Sequence, residues 1–265
     1  MTPVFSKTLD IIARRRPIIL FVRDDDVDLD EDSLRRLIDL FAELRMPLSL
    51  AIVPGLLTDE AGVYLRNAQG QAPGILELHQ HGWMHKNHET SGPAAEFGPG
   101  RSFDQQLADI AAGQHRLQDV FQDAWYPAFT PPWHACTKDT MRALLALGFE
   151  AFSSSVNQVQ SLAEEDGLCK VPITLDLEFE FQSPARPRGE TAIQLFEQMV
   201  DHHFVGLLLH HKVMQPESFA LLKSLLARLV GHEGIRFATL RSLARGQERF
   251  RFSGPSARFR QVAIG

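Results

Sequence analysis

"PIILFVRDDDVD", residues 17–28, runs from six uncharged residues straight into a cluster of carboxylates. A continuous apolar run of this length has the pattern of a strand covered on both faces, as in a parallel sheet flanked by helices. The next segment, "SLRRLIDLFAELR" (33–45), places Leu34, Leu37, Ile38, Phe41 and Leu44 at helical spacing. Together they read as one strand–helix unit with charge gathered at the strand's C-terminal end.

The same unit recurs along the chain. "PLSLAIVP" (47–54) is a strand, followed by a helix over 58–69 with Thr58 as N-cap. "GILELHQH" (74–81) is a strand leading into a Gly- and Pro-rich loop over 82–100, and "SFDQ" (102–105) forms a capping box for a helix reaching about Phe121. "WYPAFTPP" (125–132), a helix closed by Gly148, and "FEAFSSS" (149–155) continue the series. Strands are expected at "VPITLDLEFEF" (171–181), "FVGLLLHH" (204–211) and "IRFATL" (235–240), with helices over 190–202 and 216–230. The Arg- and Phe-rich tail after about 247 has no assignment. Seven or eight such units without a linker predict an α/β fold: a single distorted (β/α) barrel domain over residues 1–265.

Composition narrows the function classes. The chain has 265 residues and a formal net charge of -6, with no basic stretch able to track phosphates, so a nucleic-acid partner is not expected. Two cysteines, Cys136 and Cys169, make a disulfide framework or a closed Cys-rich zinc site untenable. No signal peptide or apolar span long enough for a membrane is visible, so the expectation is a cytoplasmic protein with no membrane partner.

In a parallel barrel the chemistry sits at the C-terminal ends of the strands. Those ends carry "RDDDVD", "HQHGWMH", "FTPPWH" and "LLLHH". Adjacent carboxylates Asp24, Asp25 and Asp26 repel one another, and a bound cation would offset that repulsion; Asp28 to Asp32 read as a solvated lead-in to the next helix. "ELHQHGWMHKNH" (77–88) holds four of the eleven histidines. His81 and His85 are four apart, the spacing that puts two imidazoles on one side of a helical turn and offers two nitrogens to one metal. His79, two before His81, shares its face on a strand and is a supporting position or a structural histidine; His88 reads as a loop histidine. Two histidines and a carboxylate make a three-ligand site with a position open for water, the catalytic pattern. His210 and His211 cannot both face the centre from a regular strand. Trp133, after Pro-Pro, is either core or a stacking platform. Cys136 near His134 raises a Cys/His nucleophile, but no third orienting group is evident.

The ordered set "RDDDVD", "ELHQHGWMH", "FTPPWH" and "LLLHHKVM" resembles the polysaccharide deacetylases of carbohydrate esterase family 4, across residues 18 to about 214. The resemblance implies that Asp26, His81 and His85 hold the metal, Asp25 is the general base and His210 the general acid; Asp24/Asp25 is the alternative pair for the two carboxylate roles. It implies a backbone N–H near Trp133 as oxyanion donor. The metal it implies is a single divalent ion, zinc first, with cobalt, nickel or iron tolerated by the same ligands. The substrate it implies is an N-acetylated sugar, glycoconjugate or other N-acyl small molecule. The departures are as informative. Thr130 stands where the family carries an arginine that orients the base, Trp133 where it has tyrosine, and His211 where an Asp often follows the last His. Asp176 is a candidate substitute orienting group. These departures leave two rivals: a metal-independent amide or cyclic imide hydrolase on the same fold, and a catalytically silent carbohydrate-binding protein.

Overall fold

The computed structural model describes residues 17–177 and 203–246. The helix expected over 190–202, the strand end after residue 177 and the C-terminal tail lie outside them. Among the described residues nine strands form the sheet: β1 (Ile18–Val27), β2 (Leu48–Ile52), β3 (Leu76–His81), β4 (Trp125–Thr130), β5 (Ala151–Ser155), β6 (Cys169–Ile173), β7 (Leu175–Asp176), β8 (Phe204–Leu209) and β9 (Ile235–Ala238). Among the described residues the helices are α1 (Asp32–Leu44), α2 (Asp59–Gln71), α3 (Phe103–Phe121), α4 (Lys138–Ala146), α5 (Val156–Ser161), α6 (Pro216–Leu229) and α7 (Leu240–Ala244).

The strand order is β6-β5-β4-β3-β2-β1-β8-β7, all pairs parallel, and β9 pairs with the start of β1. Thr174 interrupts the run read as one strand over 171–181. Its N–H donates to the Gly206 carbonyl and its Oγ1 accepts from the Gly206 N–H. That break turns the chain from β6 into β7 and brings both against β8, so the barrel is nearly closed. Gly206 sits at the seam, where a Cβ would lie 2.0 Å from the Pro172 carbonyl oxygen.

Strand periodicity sorts the core into two compartments. On β1, Ile18, Leu20 and Val22 pack outward with the helices, whereas Ile19 and Phe21 belong to a separate cluster with Ala128, Val171, Phe204 and Leu208 inside the barrel. Leu240 and Leu243 of α7 join that inner cluster. The helix is fixed there by Glu77 on β3, which accepts from the Leu240 and Arg241 N–H groups at 2.7 and 2.9 Å and from Ser49 Oγ at 2.8 Å. An anionic side chain at a helix N-terminus satisfies donors that have no partner within the helix. The caps expected from sequence are present: Thr58 accepts from the Ala61 N–H, and Ser102 and Gln105 form a reciprocal capping box on α3. No described helix is long and apolar enough to cross a membrane.

Candidate active site

The inner face of β1 continues upward from Ile19 and Phe21 to Arg23 and Asp25. Arg23 is fully buried, and its Nε and Nη2 donate to the two oxygens of Asp25 at 2.8 and 2.9 Å. Its Nη1 donates to Ser153 Oγ on β5 at 2.7 Å. Burial raises the Asp25 pKa, but the positive charges of Arg23, His81 and His210 outweigh it and hold the carboxyl at about 2.

Asp24 faces the other way. Its two oxygens accept from the His211 backbone N–H and ring Nδ1 at 2.8 and 2.6 Å, and His211 Nε2 lies 3.0 Å from Glu31 Oε1. Burial pushes the Asp24 pKa up against the opposing charge of His211. Burial also works against a charged His211, yet the Asp24 and Glu31 carboxylates raise its pKa.

Simple alternation would send Asp26 outward beside Asp24. Instead Asp26 adopts φ 67, and the pairing of β1 with β2 slips between Asp24 and Val27. Such a bulge re-aims one side chain, and aspartate tolerates the left-handed region better than most residues. Asp26 Oδ1 thereby lies 3.2 Å from His81 Nε2 and 3.2 Å from His85 Nε2.

His81 ends β3, and its Nδ1–H donates to the Thr130 carbonyl at 3.1 Å, which turns Nε2 toward Asp26. The four-residue spacing to His85 is not a helical turn, contrary to the expectation from sequence. Gly82 has φ 56, and a Cβ there would meet Glu96 Oε2 at 2.1 Å. Glu96, itself buried, accepts from the Trp83 and Met84 N–H groups at 3.1 and 2.7 Å. With its backbone donors drawn to Glu96, the segment bends rather than coils and delivers His85 at φ 50.

Asp26, His81 and His85 form a group whose ligand atoms all lie within 4.8 Å of one another. Two ligands bound to one tetrahedral zinc at about 2.1 Å sit roughly 3.4 Å apart, close to the two 3.2 Å separations on Asp26. The donor set of two imidazoles and one carboxylate, with one imidazole orientated from behind by a carbonyl, fits a divalent metal of the zinc type. Burial opposes ionisation of Asp26, but the hydrogen bonds and charges of the two histidines hold it well below the usual carboxylate range.

The other expected residues fall around this group. His79 lies below His81, fully buried, its Nε2 3.0 Å from Thr130 Oγ1; burial and the Arg23 charge push it down to about 3. Thr130 therefore supports both histidines, through its side chain and its carbonyl. His210 shares the parity of the inward residues Phe204 and Leu208, and its charge bears on Asp25; His211 shares that of the outward Val205, Leu207 and Leu209. Asp176 is half-buried on β7, paired with Leu208 of β8, and the bidentate partner of Asp25 is Arg23. Trp133 is not core: it is 42% exposed, with its ring 4.3 Å from that of His85. Cys136 is no activated nucleophile, since burial pushes its thiol up to about 12.

Three residues escaped the sequence reading. Arg23 and Ser153 have no role in that reading, although Arg23 stands two before Asp25, the spacing of one strand face. The sequence pairs His134 only with Cys136, yet its ring lies 3.4 Å from Ser154 Oγ.

No protein-family model and no curated protein sequence matches the chain. Solved structures do. A protein described as a polysaccharide deacetylase, from Mycobacterium smegmatis, superposes with a TM-score of 0.64 at 18% identity, over 91% of this chain and 95% of that one. A family 4 acetyl xylan esterase from Clostridium thermocellum, in complex with a cobalt ion, gives 0.56 at 16% identity, over 86% and 91%. The chain has the polysaccharide deacetylase fold. That fold also serves other chemistry: a 4-alpha-glucanotransferase from Thermococcus litoralis gives 0.60 at 15% identity, over 89% of this chain and 41% of that one.

Proposed function

We propose that the protein is a metal-dependent hydrolase that removes an N-acetyl or related acyl group from a sugar or glycoconjugate. The observation that carries this reading is the Asp26–His81–His85 group beside a buried, ionised Asp25. A divalent metal held by those three residues supplies Lewis acidity, lowering the pKa of water and polarising a carbonyl. Zinc suits the donor set first; cobalt, nickel and iron suit it too.

The remaining work falls to the chain itself. Asp25, fixed by the two-pronged Arg23 bond, accepts the proton of the attacking water. Arg23 takes the orienting place that the resemblance assigned to an arginine at the position of Thr130. The backbone N–H of Trp133 stabilises the tetrahedral oxyanion. His210, whose side chain shares the inward face with Phe204 and Leu208, protonates the departing amine. Trp133, exposed at the mouth of the site, offers an apolar face to a sugar ring.

The test is metal content. Untagged protein is expected to bind about one equivalent of zinc or cobalt, lost in the His81→Ala/His85→Ala double variant, and the loaded protein to release acetate from N-acetylated sugars. Protein that takes up no metal on reconstitution would leave the metal-independent amide hydrolase or the silent binding protein in its place.

A further inference from the structure

The turn "PPWHAC", residues 131–136, contains two successive non-glycine residues in left-handed backbone, Trp133 at φ 53 and His134 at φ 56. Steric crowding disfavours that conformation for bulky residues, and its persistence marks a turn whose side-chain directions matter. One result is that Trp133 stands outward beside His85. The other concerns His134, which no step of the mechanism above uses.

His134 is part-buried among the groups of the site: the charges of Arg23, Asp25, His81 and His210 all bear on it. Burial first, and the Arg23 charge with it, push its pKa down to about 3, so the ring is neutral near pH 7. A cation at the neighbouring three-ligand site would push in the same direction. A neutral imidazole has one N–H and one lone pair, and its partner decides which nitrogen carries which. That partner is Ser154 at the end of β5. Its Oγ donates to the His134 carbonyl at 3.3 Å and lies 3.4 Å from Nδ1. The hydroxyl has a single proton. With that proton given to the carbonyl, Oγ accepts from Nδ1–H, and Nε2 retains the lone pair.

We propose that His134 is a specificity residue, whose Nε2 accepts a hydrogen bond from the N–H of the scissile amide. Resting on the deacylase reading, this adds that the site distinguishes amides from esters. An N-acetyl substrate brings the donor that Nε2 requires; an O-acetyl ester brings an oxygen, which has no proton to give. A site built around a polar substrate group discriminates against an analogue lacking it, because its own polar atom is left unpaired.

Two measurements test it. The first uses a matched pair of sugars, a methyl 2-acetamido-2-deoxyglucoside and the corresponding 2-O-acetyl glucoside, with acetate release by the zinc-loaded protein as readout. His134→Ala is expected to lower kcat/KM for the amide about tenfold or more and for the ester about twofold or less, with partial recovery in His134→Asn. Equal losses on both substrates, or no loss on either, would overturn the specificity role and leave the deacylase reading standing. A wild-type protein that releases acetate from neither sugar overturns the deacylase reading, and the specificity role falls with it. The second measurement is the nitrogen-15 NMR spectrum of the wild-type imidazoles near pH 7, with His134 assigned by its loss in the variant. A neutral ring protonated on Nδ1 is expected; a charged ring, or a proton on Nε2, would overturn the proposal without reference to activity.

Discussion

Asp26 shows how much a single backbone torsion decides. Its left-handed φ costs about 1–2 kcal/mol for a residue with a Cβ, and in exchange two consecutive aspartates face the same candidate site. Nothing in "DDD" announces the slip, so the sequence leaves the register of the triplet open, with Asp24/Asp25 a fair alternative. Arg23 is a different case. It is legible, since residues two apart on a strand share a face, but the resemblance places the orienting arginine on another strand. Replacing it with methionine leaves Asp25 buried without its fork. We expect kcat to fall about a hundredfold, with metal stoichiometry unchanged, as read by steady-state kinetics and mass spectrometry. Asp25 also gives a pH signature. Its folded pKa of about 2 lies below the ordinary 3.8. It therefore contributes about 2 kcal/mol of stability above pH 3.8, lost as pH falls toward 2. Urea denaturation of the metal-free protein from pH 7 to pH 2 should show the gap between wild type and Asp25→Asn narrowing through that window.

Elements were the easiest level to read. Helices α2 and α3 begin where Thr58 and Ser102 signal, because capping is local chemistry between residues three apart. The run over 171–181 was harder: its alternation continues through Thr174, and only the non-local bonds to Gly206 reveal the break. The His81–His85 segment was harder still, since the shape of four residues is set by Glu96, eleven positions beyond His85. α7 depends on a distant partner in the same way. Glu77→Ala removes the acceptor for two N-terminal N–H groups and a serine hydroxyl, and should cost about 2–3 kcal/mol. Denaturant unfolding measures that loss, while zinc binding at the opposite end of the strands should stay as in the wild type.

At the scale of the molecule, the alternation of apolar runs and helical patterns was sufficient for the barrel, because each strand covered on both faces requires the same surroundings. What it could not give was the closure. β7 has two residues, and its place depends on the approach of β6 and β8 across Gly206. Gly206→Ala puts a methyl 2.0 Å from the Pro172 carbonyl. The seam must shift, and we expect a loss of about 1–3 kcal/mol, in the range of overpacked cores, read as a lower midpoint in thermal unfolding.

The floor of the barrel has a last consequence. Leu240 and Leu243 close the lower end of the interior, and Glu77 ties their helix in place. Among the described residues that end is filled with apolar side chains, so on the proposed chemistry substrate and products share the side on which Trp133 is exposed. If the acyl group lies on the barrel side of the sugar, the larger fragment would depart first, and the order of product release would be a property of the architecture rather than of the chemical step.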